Sequence, residues 1–342
     1  MPNWMTESLK YLIRCLAAMA LVLLGVASIT FVVTRLLGNP VYLLVGQRAD
    51  QEIIDNMIHR MGLDRPLTEQ YVRYLGTIMT GDLGTSRVTQ RAVWFEIQLR
   101  LPATLELVLA AMLLIILVAI PLGVIAAARP GGVVDRGSQI VAQLGVSVPS
   151  FWVGLIFVYL FFFRLPWFPA PLGRLGPTLS PPPTLSGLFT VDSLLTGNWA
   201  LFWSALHHLA LPAITLALAS APSTYQITRT TLLQILRSEY VRTARAYGLP
   251  SRAIYLRYAL KNVVVPVVTM LAMTFGYLMS STVLVETVFT WPGLGLFAVT
   301  SMQQLDYEPI LGVVFLSALF YVLAYLAADL IAFAIDPRIR GH

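Results

Sequence analysis

The sequence predicts an all-α integral membrane protein with six transmembrane helices. Its 342 residues are 57% hydrophobic and only 12% charged, too little polar surface to enclose a soluble globule of that length. Six stretches between charged residues reach the roughly 20 apolar residues that cross a bilayer core: Cys15 to Thr34, Leu107 to Ala128, Gly137 to Phe163, Leu209 to Thr228, Asn262 to Val285 and Pro309 to Ala328. They are too long and too continuously apolar for alternating barrel strands, so helices must pair the backbone within each span.

The first span, in 1–36, reads as a retained helix. Its apolar run exceeds that of a signal peptide, and Arg35-Leu-Leu-Gly38 has no small-x-small cleavage pattern. Arg35 to Pro40 then breaks the helix. Residues 37–100 read as an extracytoplasmic helical cap: helical periodicity runs from Asp50 to Met61 and from Thr68 to Met79, a turn at Gly62-Leu-Asp-Arg-Pro66 separates them, and Gly81-Asp-Leu-Gly84 closes the second. The cap reads equally as a passive lid or as a contact for a delivering partner.

The core, 101–342, carries the other five spans. Arg129-Pro-Gly-Gly-Val-Val-Asp-Arg136 is a short turn that pairs spans two and three. Ser147-Val-Pro-Ser150 lies in span three, and Pro212 and Pro222 in span four. Such prolines either kink helices in ordinary packing or free carbonyls along a moving path. Residues 165–208, with Pro181-Pro-Pro183, read as a mostly irregular outer loop. The loop ends at His207 and His208, which read as interfacial polar caps, because no acid or cysteine stands at ligand spacing. The single cysteine, Cys15, excludes an intrachain disulfide and a thiolate metal cluster.

Orientation follows from the basic residues. Between spans four and five stand Arg229, Arg237, Arg242, Arg245, Arg252, Arg257 and Lys261 against one acid, Glu239; between spans five and six stand Glu286, Asp306 and Glu308 with no base. The first loop is therefore expected in the cytoplasm, with both chain termini. The net charge of +6 is a topology signal; without a basic stripe and interleaved aromatics it gives no reason to expect nucleic acid.

The cytoplasmic loop, 229–262, is longer than a connection requires. A basic helix from Ser238 to Tyr247, a break at Gly248-Leu-Pro250 and a second basic helix make a knob. Its arginines surround Tyr240, Val241 and Leu249, a composition suited to a protein contact; anionic headgroups are the rival partner. Ala244 falls where a partner surface can approach closely.

At this point the chain resembles the permeases of binding-protein-dependent ABC importers, nearest to the dipeptide, oligopeptide and nickel branch. Glu239-Tyr-Val-Arg-Thr-Ala-Arg-Ala-Tyr-Gly-Leu249, continued by Tyr258-Ala-Leu-Lys-Asn262 and Pro266, is similar to the family's coupling loop. Gly81-Asp-Leu-Gly84 with Ser86, Leu101-Pro-Ala-Thr-Leu-Glu106, Ser147-Val-Pro-Ser-Phe-Trp152, Leu209-Ala-Leu-Pro212, Glu286-Thr-Val-Phe-Thr-Trp-Pro-Gly-Leu-Gly295 and Asp336-Pro-Arg-Ile-Arg340 match the branch in order along nearly the whole chain. Departures are Tyr247 where the family often has Lys, Lys261 where it has Arg, and Gly38-Asn-Pro40 in place of Gly-Asp-Pro.

The resemblance implies a type I importer permease in the bacterial inner membrane. It implies a second, homologous permease, two ABC ATPase subunits and an extracytoplasmic solute-binding protein as partners, with lipid around the bundle. It places ATPase coupling on Glu239, Tyr240, Arg242, Thr243, Ala244, Arg245, Gly248, Leu249 and Asn262. The chain itself offers no enzyme site: it has no G-x-x-x-x-G-K-[ST] loop, no H-E-x-x-H and no G-x-S-x-G, so ATP and Mg belong on the partner subunits. A secondary transporter would need ionisable residues near mid-span, and an intramembrane enzyme would need catalytic groups; both are missing here.

The solute reads as a di- or oligopeptide, with nickel or another metal chelate, glutathione or a sugar as alternatives. Glu106, Glu286 and Asp329 stand at span ends, where each is expected to reach water. An outer gate is expected at Glu286, Trp291, Pro292 and Gly293, with Glu286→Ala leaving assembly intact and slowing uptake.

Overall fold

The computed structural model describes residues 3–36, 51–60 and 62–335. The expected helix break at 37–40, the matched terminal motif at 336–340 and His342 lie outside the described residues. In chain order the helices are α1 (Asn3–Leu36), α2 (Gln51–Arg60), α3 (Leu67–Met79), α4 (Val93–Ala128), α5 (Val133–Ser147), α6 (Ser150–Phe157, continued by a π-helical turn Val158–Arg164), α7 (Phe189–Leu195), α8 (Trp199–Leu236), α9 (Glu239–Ala246), α10 (Leu260–Val288), α11 (Leu294–Gln303) and α12 (Tyr307–Ile335). Ser251–Ala253 and a second π-helical stretch, Ile254–Ala259, lead into α10.

Five of these helices are long and apolar enough to cross a membrane, and a sixth span exists if α5 and α6 count as one. That pair is the expected third span, and it is bent by 104°. The cause is local. Pro149 pushes Val148 into extended backbone (φ −109°, ψ 127°), which ends α5, and α6 restarts directly after the proline. Pro212 and Pro222 have no such effect, since α8 runs unbroken through both.

The segment 165–208, expected as a mostly irregular outer loop, is partly helical. Residues 165–188 are irregular apart from turns, but α7 and the first turns of α8 are helical. Asn198 caps α8 by accepting a hydrogen bond from Leu201 N at 3.1 Å. His207 and His208 consequently lie within that helix; they bond the carbonyls of Trp167 and Ser204, each at 2.8 Å.

The chain divides into two compact units. The smaller comprises Leu9–Arg100 and Phe297–Leu319. In it, Phe31 of α1 packs against Tyr71 and Tyr74 of α3, with ring centroids 5.3 and 5.5 Å away. After α3, Gly81 and Gly84 take left-handed φ of 78° and 82°, and the chain turns back toward α4. That turn is fastened by Asp306, which accepts from Ser86 Oγ (2.5 Å), Arg87 N (3.0 Å) and Val88 N (3.2 Å).

The larger unit, Met1–Ser8, Leu101–Leu296 and Phe320–His342, is built around α8. Ala103, Leu107, Ala111 and Ile115 of α4 meet Leu209, Leu216 and Tyr225 of α8 and Leu278 and Val285 of α10 in one buried cluster. Two helix crossings are tight because glycine stands at them: a Cβ on Gly123 would come within 2.9 Å of Thr228, and one on Gly145 within 2.9 Å of Leu218 O. Leu218 O is the carbonyl that Pro222, which has no N–H, leaves without its helical donor. A second buried cluster sits at the Arg-rich end: Ala127, Leu232, Leu236, Val241, Ala244, Ile254, Ala259, Val263 and Val267.

Candidate functional site

The segment 229–262 folds into the expected knob, with a difference in which side faces out. Helix α9 is a two-turn amphipathic helix whose Val241 and Ala244 are buried and whose Glu239, Tyr240, Arg242, Thr243 and Arg245 are exposed. Ala244 therefore lies on the inner face of the helix, away from its exposed side. Its side chain is 7% exposed and points into the second cluster, beside Val241 at 0%. Val241 likewise leaves the outer apolar patch, which consists of Tyr240, Tyr247 and Leu249. The small residue is needed because α9 lies flat on the ends of its own helices.

The end of α9 is a Schellman motif. Gly248 sits at φ 75°, its N–H bonds Arg245 O at 2.9 Å, and Leu249 N–H bonds Ala244 O at 3.2 Å. A Cβ on Gly248 would meet nothing within 4 Å, so the glycine is required by backbone conformation and not by space. Asn262 ties the two halves of the knob together: its Nδ2 donates to Tyr240 Oη at 3.1 Å and to Tyr258 O at 2.8 Å. Arg242 and Glu239 pair at 2.8 Å on the outside, 70% and 84% exposed, where such a pair adds little stability.

Next to this knob lies an ion pair that the sequence did not announce. Asp135, within the short turn-and-helix after Arg129, accepts from Arg229 Nε (2.6 Å) and Nη2 (2.9 Å), from Gly131 N (2.8 Å) and from Gln139 Nε2 (2.7 Å). It links α5 to α8, as does the hydrogen bond between Ser138 Oγ and Tyr225 Oη at 2.7 Å. Asp135→Asn is expected to destabilise the protein by about 1.5–3 kcal/mol, the worth of a hydrogen bond to a charged group. Thermal unfolding of the purified protein checks this; an unchanged midpoint would show that Arg229 holds α5 without its charge partner.

The four residues expected at an outer gate are placed together, at the end of α10. α10 ends in a second Schellman motif with Thr290 at φ 49° in the position glycine usually takes, and Trp291 N–H closes on Glu286 O at 2.8 Å. Glu286 is fully buried at 0% and does not reach water. Its carboxyl accepts from Thr104 Oγ1 at 2.7 Å and from Leu296 N at 2.9 Å, and Thr104 Oγ1 in turn accepts from Leu294 N at 2.8 Å. Trp291, 1% exposed, donates Nε1–H to Ala103 O at 2.8 Å. Gly293 is buried against the same carboxyl: a Cβ there would lie 2.4 Å from Thr104 Oγ1 and 2.5 Å from Glu286. Only Pro292 is exposed. Ala103-Thr104 and the Glu286 to Leu296 stretch are thus two halves of one buried joint.

Glu106 is buried as well, at 4%, and also does not reach water. It pairs with Arg174 (Nη2 at 2.5 Å, Nε at 3.1 Å) and accepts from Thr190 N and Oγ1, each at 2.7 Å. Arg174 also donates to Gly187 O at 2.8 Å and stacks 3.5 Å over the Phe189 ring. Burial pulls this guanidinium below its usual range against the opposing Glu106 charge. Nearby, burial pushes the Asp192 carboxyl up, but hydrogen bonds from Ser186, Gly187 and Leu185 outweigh it and hold the group below the ordinary carboxylate value. One arginine in the otherwise apolar Leu172–Leu175 stretch was the available signal for this joint. Asp329, by contrast, is partly exposed on α12.

Residues 119–341 match the family model "Binding-protein-dependent transport system inner membrane component", and residues 8–108 match that of its N-terminal region. The chain is 43% identical over 325 residues to the probable D,D-dipeptide transport system permease protein DdpB of Escherichia coli (strain K12), covering 94% of this chain and 95% of that one. It is 38% identical to the di/tripeptide transport system permease protein DppB of Pseudomonas aeruginosa (strain UCBPP-PA14), covering 97% and 99%. It is 34% identical to the glutathione transport system permease protein GsiC of Pectobacterium atrosepticum, again covering 97% and 99%. Among solved structures, the inward-facing MetNI methionine ABC transporter shares the fold, with a TM-score of 0.50 and 16% identity over 68% of this chain and 93% of that one.

Proposed function

The chain belongs to the binding-protein-dependent transport system inner membrane components, as a multi-pass inner-membrane protein, and from that premise we propose that it is the permease subunit of an ATP-driven peptide importer. It pairs with a second permease to form the path for di- or oligopeptides. A solute-binding protein delivers the peptide from outside, and two ATPase subunits, which hold the ATP and Mg, dock on the knob at 239–262. The Arg-rich end faces the cytoplasm with both termini, as the basic residues direct. Residues 37–100 then lie outside as a cap, and 101–342 form the core.

The observation that carries this reading is the form of α9. Its inner face is sunk in the protein's own core, while its outer face offers Tyr240, Arg242, Thr243, Arg245, Tyr247 and Leu249 around a left-handed Gly248. A headgroup-binding helix has no need for so fixed a terminus, whereas a protein cleft recognises shape. Ala244 supports the seat of α9 and the others form the contact. Peptide as the solute is supported by the relatives named as D,D-dipeptide and di/tripeptide permeases; a glutathione importer is the second reading, favoured by the GsiC likeness.

The test is purification of the chain from its native membrane beside Gly248→Asp and Gly248→Asn, with identification of co-purifying proteins and assay of ATP hydrolysis. Wild type is expected to bring an ATPase pair and a second permease. Asn and Asp both accept the left-handed backbone better than other L-residues, which lose roughly 1–2 kcal/mol there, so the two variants differ mainly in the negative charge that Gly248→Asp adds among the arginines. Expected is loss of ATPase coupling with Gly248→Asp and partial retention with Gly248→Asn. A wild-type chain that purifies alone and without ATP hydrolysis would overturn the reading.

A further inference from the structure

Between α5 and α8 lies a cleft of about 520 Å³, bordered by Arg136, Gln139 and Gln143 on one side and by Tyr225, Gln226 and Thr230 on the other. Its volume falls in the usual range of small-molecule sites, roughly 300–1,000 Å³. The glutamines are placed at helical spacing of four, so Gln139 and Gln143 form one stripe on α5, and Gln226 stands on the facing wall. All three are exposed. Hydrocarbon cannot satisfy an amide, so exposed amides on α8, which is of membrane-spanning length, and on α5, which counts toward a span only together with α6, belong against water or protein. The wall is concave, which suits a water-filled path better than a flat helix contact.

The charges are distributed unevenly. Arg229 is committed to Asp135 by two hydrogen bonds. Arg136, one residue further along, is exposed and has no acidic partner among the described residues. Gln139 Nε2 is engaged by Asp135 at 2.7 Å, so the cleft presents one uncompensated guanidinium and the amides of Gln143 and Gln226, both donors and acceptors. A guanidinium fork suits a carboxylate, and amides suit peptide groups.

We propose that this cleft is a solute-contact station on the translocation path, with Arg136 receiving the terminal carboxylate of a peptide and Gln143 and Gln226 its amide groups. The inference rests on the peptide-importer reading for its ligand, and on the amide stripe alone for its being a wet path.

Two measurements keep these apart. In the complete complex in inside-out membrane vesicles, with Cys15→Ser as background, Gln143→Cys and Gln226→Cys are labelled with a small charged thiosulfonate, beside Leu144→Cys on the neighbouring apolar face. Water-lined positions are expected to react at least about tenfold faster than Leu144→Cys. Equal rates at all three positions would overturn the path, whatever the solute; that is the outcome expected of a groove covered by lipid or by another subunit.

The second measurement compares import of a dipeptide with that of its C-terminal amide, in wild type and Arg136→Gln. Wild type is expected to favour the free acid, and Arg136→Gln to lose roughly tenfold on the acid with little change on the amide. Equal losses on both substrates, or none, would overturn the carboxylate contact. Failure of wild type to import any peptide would overturn the peptide reading and with it the assigned ligand, while the labelling rates would still decide the path.

Discussion

Arg174→Met is expected to destabilise the chain by about 3–5 kcal/mol, because it leaves a buried carboxylate without its charge partner. With 7% and 4% of their side chains exposed, Arg174 and Glu106 have almost no water to fall back on. Glu106 would keep the two hydrogen bonds from Thr190, but Gly187 O would lose its donor and Phe189 its cation. Adding Glu106→Gln to Arg174→Met removes the stranded charge, and the double variant is expected to recover much of the loss. Thermal unfolding of the three proteins in one detergent measures this. A single variant as stable as wild type would show that the pair contributes nothing, and a double variant no better than the single would place the loss in packing.

Glu286→Ala is expected to prevent accumulation of folded protein, in contrast to the normal assembly that a gate residue would allow. The substitution removes the acceptor of Leu296 N and Thr104 Oγ1 in a site sealed from solvent. Each donor left unpaired costs about 1–3 kcal/mol, and the emptied volume adds to that. Glu286→Gln keeps the shape: its carbonyl can accept from Leu296 N while its amide faces Thr104. Size-exclusion chromatography of detergent extracts is expected to show little monodisperse Ala variant and a clear Gln peak. Equal peaks would mean that the joint is not needed for folding.

The spans were legible because each is a long apolar run, a property that needs no knowledge of neighbours. The knob was legible for a similar reason, since Gly248 and Pro250 dictate local backbone whatever surrounds them. What failed to read out was direction. Ala244 and Val241 share a helix face, and nothing in their spacing says whether that face meets a partner or the protein's own α4 and α8. Glu286 was placed at a span end and assigned to water; its burial depends on Thr104, brought to it from another helix across 182 residues of chain. The proline at 149 announced a bend but not its 104°, which depends on the backbone angles Val148 takes in the folded chain. Asp135 and Arg229 were each read as part of a basic or turn-forming stretch, and only folding brings them within 2.6 Å.

The seating of α9 has a mechanical consequence. Its Val241 and Ala244 share one close-packed cluster with Ala127 near the end of α4, Leu232 and Leu236 near the end of α8, and Val263 and Val267 near the start of α10. Protein interiors of this kind are barely compressible. A load applied to the outer face of α9 is therefore not absorbed by a soft hinge; it reaches the ends of three long helices at once, as a crank bolted to three rods delivers its stroke to all of them together.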